Sequence, residues 1–335
     1  MTSRVTSPVT SPVTDAAIRT LRLGTRASAL ATTQSGLVAT MVRERLGREV
    51  ELVEVTTEGD VNGAPLASLG GTGVFVSALR DALLAGQVDL AVHSLKDLPT
   101  APAAGITLAA VPLREDPRDV VVARDGLTLG GLPAGSRVGT GSPRRAAQLG
   151  ALGLGLEVID IRGNVGTRVR KVRDGEYDAV VLARAGLARL GRLAEVTEVL
   201  DPLQMLPAPG QGALAVECRT ADADLVGLLA RLDDVASRAA VTAERAVLAT
   251  LEAGCAAPLG ALADVVEGDD GEELWLRAVA LSEDGALTVR MSTTGPVEQA
   301  ADLGHRLASD MLAEGAADLM TAPLEQGPPV RNQHA

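Results

Sequence analysis

Short apolar strands alternate with helical segments through the first two thirds of this 335-residue chain, and no other feature restricts the fold as much. Leu21 to Gly24 reads as a strand. Ser28 to Leu46 reads as a helix whose Leu30, Leu37, Val38 and Met41 form one apolar stripe, and Val50 to Val55 as a second strand. A helix over Val74 to Ala85 and a strand over Val88 to Val92 complete a β-α-β-α-β series, which predicts a mainly parallel sheet. Asp119 to Ala123, Arg137 to Gly139, Glu157 to Ile161 and Asp178 to Ala183, with helices between, predict a second such sheet, and Gly212 to Glu217 adds a further strand. From about Val235 the pattern changes to a helix (Ala239 to Leu251), a hairpin-like pair (Leu274 to Leu281, Ala286 to Ser292) and a helix (Val297 to Ala313). The expected fold class is therefore α/β: two lobes with mainly parallel mixed sheets, plus a smaller α+β C-terminal domain. Residues 18–112 and 213–232 are assigned to the first lobe, 113–212 to the second and 235–322 to the third domain. Residues 1–17 and 323–335 are expected to be disordered tails.

With 46% apolar residues each domain has enough material for a core. Trp275, Tyr177 and Phe75 are the only aromatics, so packing falls to Leu, Val and Ala, and platforms for stacking nucleic-acid bases are lacking. The net charge of −12 argues further against nonspecific nucleic-acid binding. Two cysteines, Cys218 and Cys255, are too few for a disulfide framework and fit a reducing cytoplasm; no spacing suggests a metal, and no apolar run suggests a membrane span. Residues 56–73 hold five glycines and no sustained period, the composition of a lid-like loop.

Within this acidic chain, residues 137–173 carry eight of its 31 basic residues. Arg144, Arg145, Arg162 and Arg168 sit beside Gly, Ser or Thr at strand-to-helix junctions, where backbone N–H groups also face an anion. Arg26 has the same setting in the first lobe, while Arg170, Lys171 and Arg173 read as solvated surface. The glycine patterns match no nucleotide-phosphate motif, so a polycarboxylate between the lobes is at least as good a ligand. Lys96 and Asp97 follow the apolar strand at the sheet edge where α/β ligands bind. Asp97 is either an acid, base or charge stabiliser or the cap of a turn before Pro99, and His93 reads as structural. Cys255, on a small-residue loop, is either a covalent attachment point or an apolar filler, and Cys218 packs in a strand.

LRLGTRASALA (21–31), AVHSLKDLP (91–99), REDPRDV (114–120), GTGSPRRAAQL (139–149), RGNVGTR (162–168), DAVVLARAGLARLG (178–191), PAPGQGALAVECR (207–219) and ERAVLATLEAGCAAPLG (244–260) together closely resemble the porphobilinogen deaminase (hydroxymethylbilane synthase) family. The resemblance runs in order from about residue 20 to 320. It implies two lobes like a periplasmic binding protein, a third domain, and a dipyrromethane cofactor thioether-linked to Cys255. It implies a transferase of tetrapyrrole and heme biosynthesis that joins four porphobilinogen units head to tail, releases ammonia, and hydrolyses off hydroxymethylbilane. By motif, Asp97 matches the catalytic carboxylate, and Lys96 and Ser142 match cofactor contacts. Arg26, Ser28, Arg144, Arg145, Arg162, Arg168 and Arg189 match the carboxylate binders. Each pyrrole adds an acetate and a propionate, so a set of arginines is what such a growing chain requires. The family is typically monomeric.

The sequence departs from the family in its lid, where Ser68, Thr72 and Ser77 stand in place of usual lysines and Glu58 in place of a frequent arginine; the cofactor loop reads AGCAAP rather than the commoner GGCQVP. Weakened lid closure, a divergent copy of low activity, or a two-lobed anion-binding or sensor protein are the alternatives these changes leave open.

Overall fold

Residues 19–55, 73–251, 257–268 and 271–321 are described by the computed structural model of the chain. The first sheet takes β1 (Leu21–Thr25), β2 (Val50–Glu54), β3 (Leu90–Ser94) and β4 (Ile106–Ala110), with α1 (Ala29–Leu46) and α2 (Gly73–Leu84) as crossovers. α1 starts where the Ser28 hydroxyl accepts the Ala31 amide, which satisfies a donor the helix cannot. The second sheet takes β5 (Asp119–Ala123), β6 (Arg137–Gly139), β7 (Glu157–Ile159), β8 (Ala179–Ala183) and β9 (Glu198–Val199), with α3 (Pro143–Ala151), α4 (Val165–Arg173) and α5 (Arg184–Arg189). The chain then returns to the first sheet as β10 (Leu214–Arg219).

Both sheets share one plan. Their orders are β2-β1-β3-β10-β4 and β7-β6-β8-β5-β9. In each, the fourth strand runs antiparallel to its neighbours, β10 between β3 and β4 and β5 between β8 and β9, while the other recorded pairs are parallel. Apolar periodicity finds such strands but carries no strand direction, so the sequence predicts the sheets and not their reversed members. Leu23, Leu90, Val92 and Val216 pack the first sheet and Val121, Val138 and Val181 the second. Each such side chain contributes about 1.5–3 kcal/mol on burial.

Beyond α6 (Ala223–Leu229) and α7 (Val235–Thr250), the strands β11 (Leu259–Gly268), β12 (Gly271–Leu281) and β13 (Thr288–Pro296) form an antiparallel sheet, followed by α8 (Ala300–Ala313) and α9 (Ala316–Thr321). Leu274, Leu276 and Ala278 of β12 pack against Ala243 and Val247 of α7 and Leu303 and Leu307 of α8. Three strands lie outside the sequence reading, β4, β9 and β11; β11 opens Leu-Gly-Ala-Leu-Ala, without a β-branched residue.

Two segments, 111–118 and 200–213, carry the chain from one sheet to the other and back. They touch backbone to backbone at Gly212, which sits at φ 89° and where a Cβ would lie 2.3 Å from the Glu115 carbonyl oxygen. Only glycine meets both conditions. The Glu244 carboxylate of α7, fully buried, holds both crossovers to the C-terminal unit. It accepts Arg114 in two bonds (2.6 and 3.0 Å), the Gly210 amide (2.6 Å) and the Ala263 amide of β11 (2.9 Å).

Candidate active site

The site is built around a buried acid. Asp119, the first residue of β5, is fully buried and accepts Arg144 Nη2 at 2.7 Å, Arg145 Nη2 at 2.8 Å and Gln211 Nε2 at 2.8 Å. Burial disfavours its charge, but the two guanidiniums overcome that and hold its carboxyl well below the usual range. Pro143 at the first turn of α3 places both arginines one helical step inside the second lobe. Arg144 also donates to the Leu206 carbonyl, and Arg145 to that of Val181 at 3.1 Å. The Gln211 amide nitrogen has two acceptors, Asp119 and the Pro117 carbonyl at 2.7 Å, which turns its oxygen toward Lys96 Nζ at 3.4 Å.

Lys96 and Asp97 lie in a 3-10 turn, Leu95–Asp97, at the C-terminal end of β3. Desolvation lowers the Lys96 pKa to about 8, with Arg145 and Arg144 adding repulsion and Asp97 and Asp119 opposing it. Two cavities meet at Lys96 and Arg145. The larger, about 580 Å³, lies between the lobes and is lined by Arg26, Lys96, Arg145, Arg168, Arg189 and Arg192, with no Asp or Glu in its lining. The smaller, about 200 Å³, is lined by Lys96, Asp97, Ser142, Arg144 and Arg145, and also by Leu248 and Ala257.

The structure brings most of the sequence-selected residues together. Arg26 and Ser28 enter the larger cavity from the N-terminal end of α1, and Arg168 and Arg189 face it from α4 and α5. Arg168 donates to the Gly163 carbonyl at 2.8 Å and Arg189 to that of Gly212 at 2.5 Å, neutral partners that leave their charge available. Burial depresses both pKa values, and for Arg168 the neighbouring Arg145 and Arg162 add to it. Arg162 is placed differently: it is exposed, pairs with Asp160 at 2.8 Å and lines neither cavity. Cys255 lies outside the described residues, as do Glu58, Ser68 and Thr72; Ser77 is an exposed residue of α2. His93 is buried with Nε2 3.3 Å from Glu217, which Arg80 also binds at 2.6 Å. Against its own burial, bonds from His93 and Arg80 hold the Glu217 carboxyl at about 2. Cys218 is buried in β10, its thiol pushed up to about 11 by desolvation.

Asp119, Gln211 and Gln34, whose amide donates to the Ser94 hydroxyl at 2.9 Å, were not selected from sequence. Two of them lie inside a motif that was, Asp119 in REDPRDV and Gln211 in PAPGQGALAVECR, whereas Gln34 falls just past LRLGTRASALA. The arginine pair was the available signal for Asp119, because two adjacent buried guanidiniums require a buried anion.

A lining of six basic side chains, of which Arg145 pairs with Asp119 and Arg192 with Glu195, fits a ligand of several carboxylates. Arg144, on the wall of the smaller cavity, keeps a buried Nε with no hydrogen-bond partner, a further donor for an anion. Among the described residues no group of His, Cys, Asp and Glu could hold a metal ion, and no helix is long and apolar enough to cross a membrane.

Comparison with known proteins agrees with this chemistry. A family model for the porphobilinogen deaminase dipyromethane cofactor binding domain matches residues 21–227, and one for the porphobilinogen deaminase C-terminal domain matches residues 238–313. The porphobilinogen deaminase of Nocardia farcinica is 58% identical over 320 residues, covering 93% of this chain and 91% of that protein. Porphobilinogen deaminase 1 of Streptomyces coelicolor is 60% identical over 311 residues, covering 90% and 98%. Among solved structures, a periplasmic substrate-binding protein of an ABC transporter from Coxiella burnetii aligns at a TM-score of 0.41 and 15% identity, covering 63% of this chain and 91% of that one. On the match of both family models in order and the identity along nearly its whole length, the chain belongs to the porphobilinogen deaminase family.

Proposed function

We propose that the chain carries out its deaminase reaction in the two joined cavities, on a dipyrromethane group attached through a thioether to Cys255. The family's activity is a transferase reaction, the head-to-tail joining of four porphobilinogen units with release of ammonia. The observation that carries the assignment of roles is the lining of the larger cavity, six basic side chains and no acid. When bound, the dipyrromethane group supplies the primer that the first substrate extends. Its carboxylates would be held by Lys96, Ser142, Arg144, Arg145 and Arg168, and those of substrate by Arg26, Ser28, Arg168 and Arg189, with Arg162 at the rim. Asp97 lines the smaller cavity beside Lys96, where its carboxylate can face pyrrole nitrogens as positive charge develops on loss of ammonia and can take or return a proton. Leu248 and Ala257 stand on either side of the segment that holds Cys255 and line that same cavity, which supports attachment there. The reading extends to a cytoplasmic location, supported by the low cysteine count, and to a monomer, the state typical of the family.

Intact-mass measurement tests it. The purified native chain should carry an added mass of two pyrrole units that is absent in Cys255→Ala, and the native protein should release ammonia from porphobilinogen. An unmodified native chain that releases none would reject the reading in favour of an anion-binding protein.

A further inference from the structure

Asp97 sits on a turn of three residues, and a 3-10 segment that short has little hydrogen bonding of its own to fix its direction. Leu98 N donates to the Leu95 carbonyl at 3.1 Å, and Leu95 N to that of Ala213 at 3.0 Å. Beside the packing of Leu95 and Leu98 on Val76, Val111 and Ala213 and the Lys96–Gln211 contact, a further hold on this turn comes from α7. Its Arg245 donates to the carbonyls of Pro99 at 2.7 Å, Leu98 at 3.0 Å and Leu95 at 3.4 Å, which bracket Lys96 and Asp97 from both sides. One helical turn earlier, Val241 packs in the same buried cluster as Leu95 and Leu98. One turn later, Leu248 reaches the smaller cavity. One helix thus packs against the turn, clamps its carbonyls and lines the cavity that Asp97 also lines.

We propose that Arg245 is a positioning residue for the reaction: it sets the orientation of Asp97 by fixing three backbone carbonyls. The role rests on the reading of Asp97 given above. A guanidinium suits it because its planar fork can serve several acceptors at once, whereas an ammonium on the same stem is a point charge that does not reproduce that geometry. Arg245 touches no reacting atom in this account and acts through the turn.

The test uses the native, adduct-bearing enzyme with Arg245→Gln and Arg245→Lys; the lysine variant keeps charge and stem, so it remains measurable if the glutamine variant is unstable. Steady-state kinetics, intact mass and amide exchange at Leu98 are recorded together. The expected result is a retained adduct, KM within about twofold, and kcat lowered on the order of 10- to 100-fold, the effect of misplacing a reactive group by ~1 Å. Exchange at Leu98 should quicken in both variants. Unchanged kcat with unchanged Leu98 exchange overturns the proposal, and so does a rise in KM at constant kcat, which would make Arg245 a binding residue. A native enzyme without adduct or ammonia release would instead overturn the functional reading on which the role rests, and the Leu98 exchange would still report whether the clamp exists.

Discussion

Lys96 occupies a position where protonation and function are coupled. Its pKa, lowered to about 8 chiefly by desolvation, puts loss of its charge just above neutrality. The unfolded chain holds this proton up to its ordinary value of 10.5, so the burden Lys96 places on folding is full below pH 8 and is relieved as pH rises toward 10.5. Anion binding runs the other way, because the cavity loses a cation on that same rise. The KM for porphobilinogen should therefore increase between pH 7 and 9, and Lys96→Gln should show a higher KM at pH 7 with little change across that range. An equally steep rise in Lys96→Gln would assign the dependence to another group. At this scale Arg26, Arg144, Arg145 and Arg168 were legible in the sequence because each stands in a motif beside small polar residues, whereas Arg192 was not selected. Asp119 was not, since in REDPRDV it looks like one of three acids in a charged run, and only the fold shows that β5 carries it into the interior.

The hairpin between β12 and β13 shows what an element contributes beyond its own sheet. Its tip rests on α3: Gly285, at φ 75°, would place a Cβ 2.1 Å from the Ala147 carbonyl oxygen, and Gly150 would place one 2.5 Å from that of Asp284. Leu262, Val279 and Leu281 complete the contact with Ala147 and Leu206. α3 also carries Arg144 and Arg145, so the C-terminal unit braces the helix that supplies two of the cavity's cations. Gly285→Ala should lower stability by about 1–3 kcal/mol through backbone strain and overpacking. It should also raise KM as α3 is displaced, with urea unfolding and kinetics measured on one preparation. A stable variant with native KM would show that the tip and helix can separate without effect on the site. The hairpin was readable from its alternation and its Ser-Glu-Asp-Gly turn, but its docking was not, because local pattern contains no information on distant partners.

Across the whole molecule, the two crossovers and the C-terminal unit converge on Glu244, so the lobes are joined where a third body holds both connections. The two α/β sheets and the smaller α+β unit were legible because strand and helix periods differ, whereas the return of β10 into the first sheet is a matter of topology that no local period encodes. The lining of the larger cavity has a consequence for the protein before it carries any ligand. Arg145 is paired with Asp119 and Arg192 with Glu195, but Arg26, Lys96, Arg168 and Arg189 add like charge to the same gap, so an anion bound there should stabilise the chain. Cys255→Ser protein, which on the proposed attachment takes no adduct, should therefore gain melting temperature from a polycarboxylate such as mellitate well beyond the effect of sodium chloride at equal ionic strength, the stabilisation reaching about 2.7 kcal/mol at a hundred times its Kd. The gain should shrink in Arg168→Ala, and equal shifts from both salts would show that the charges do not act on the fold. Such a gain would make priming a step of maturation as much as of chemistry: the first polyanion to arrive would stabilise the fold that every later substrate meets.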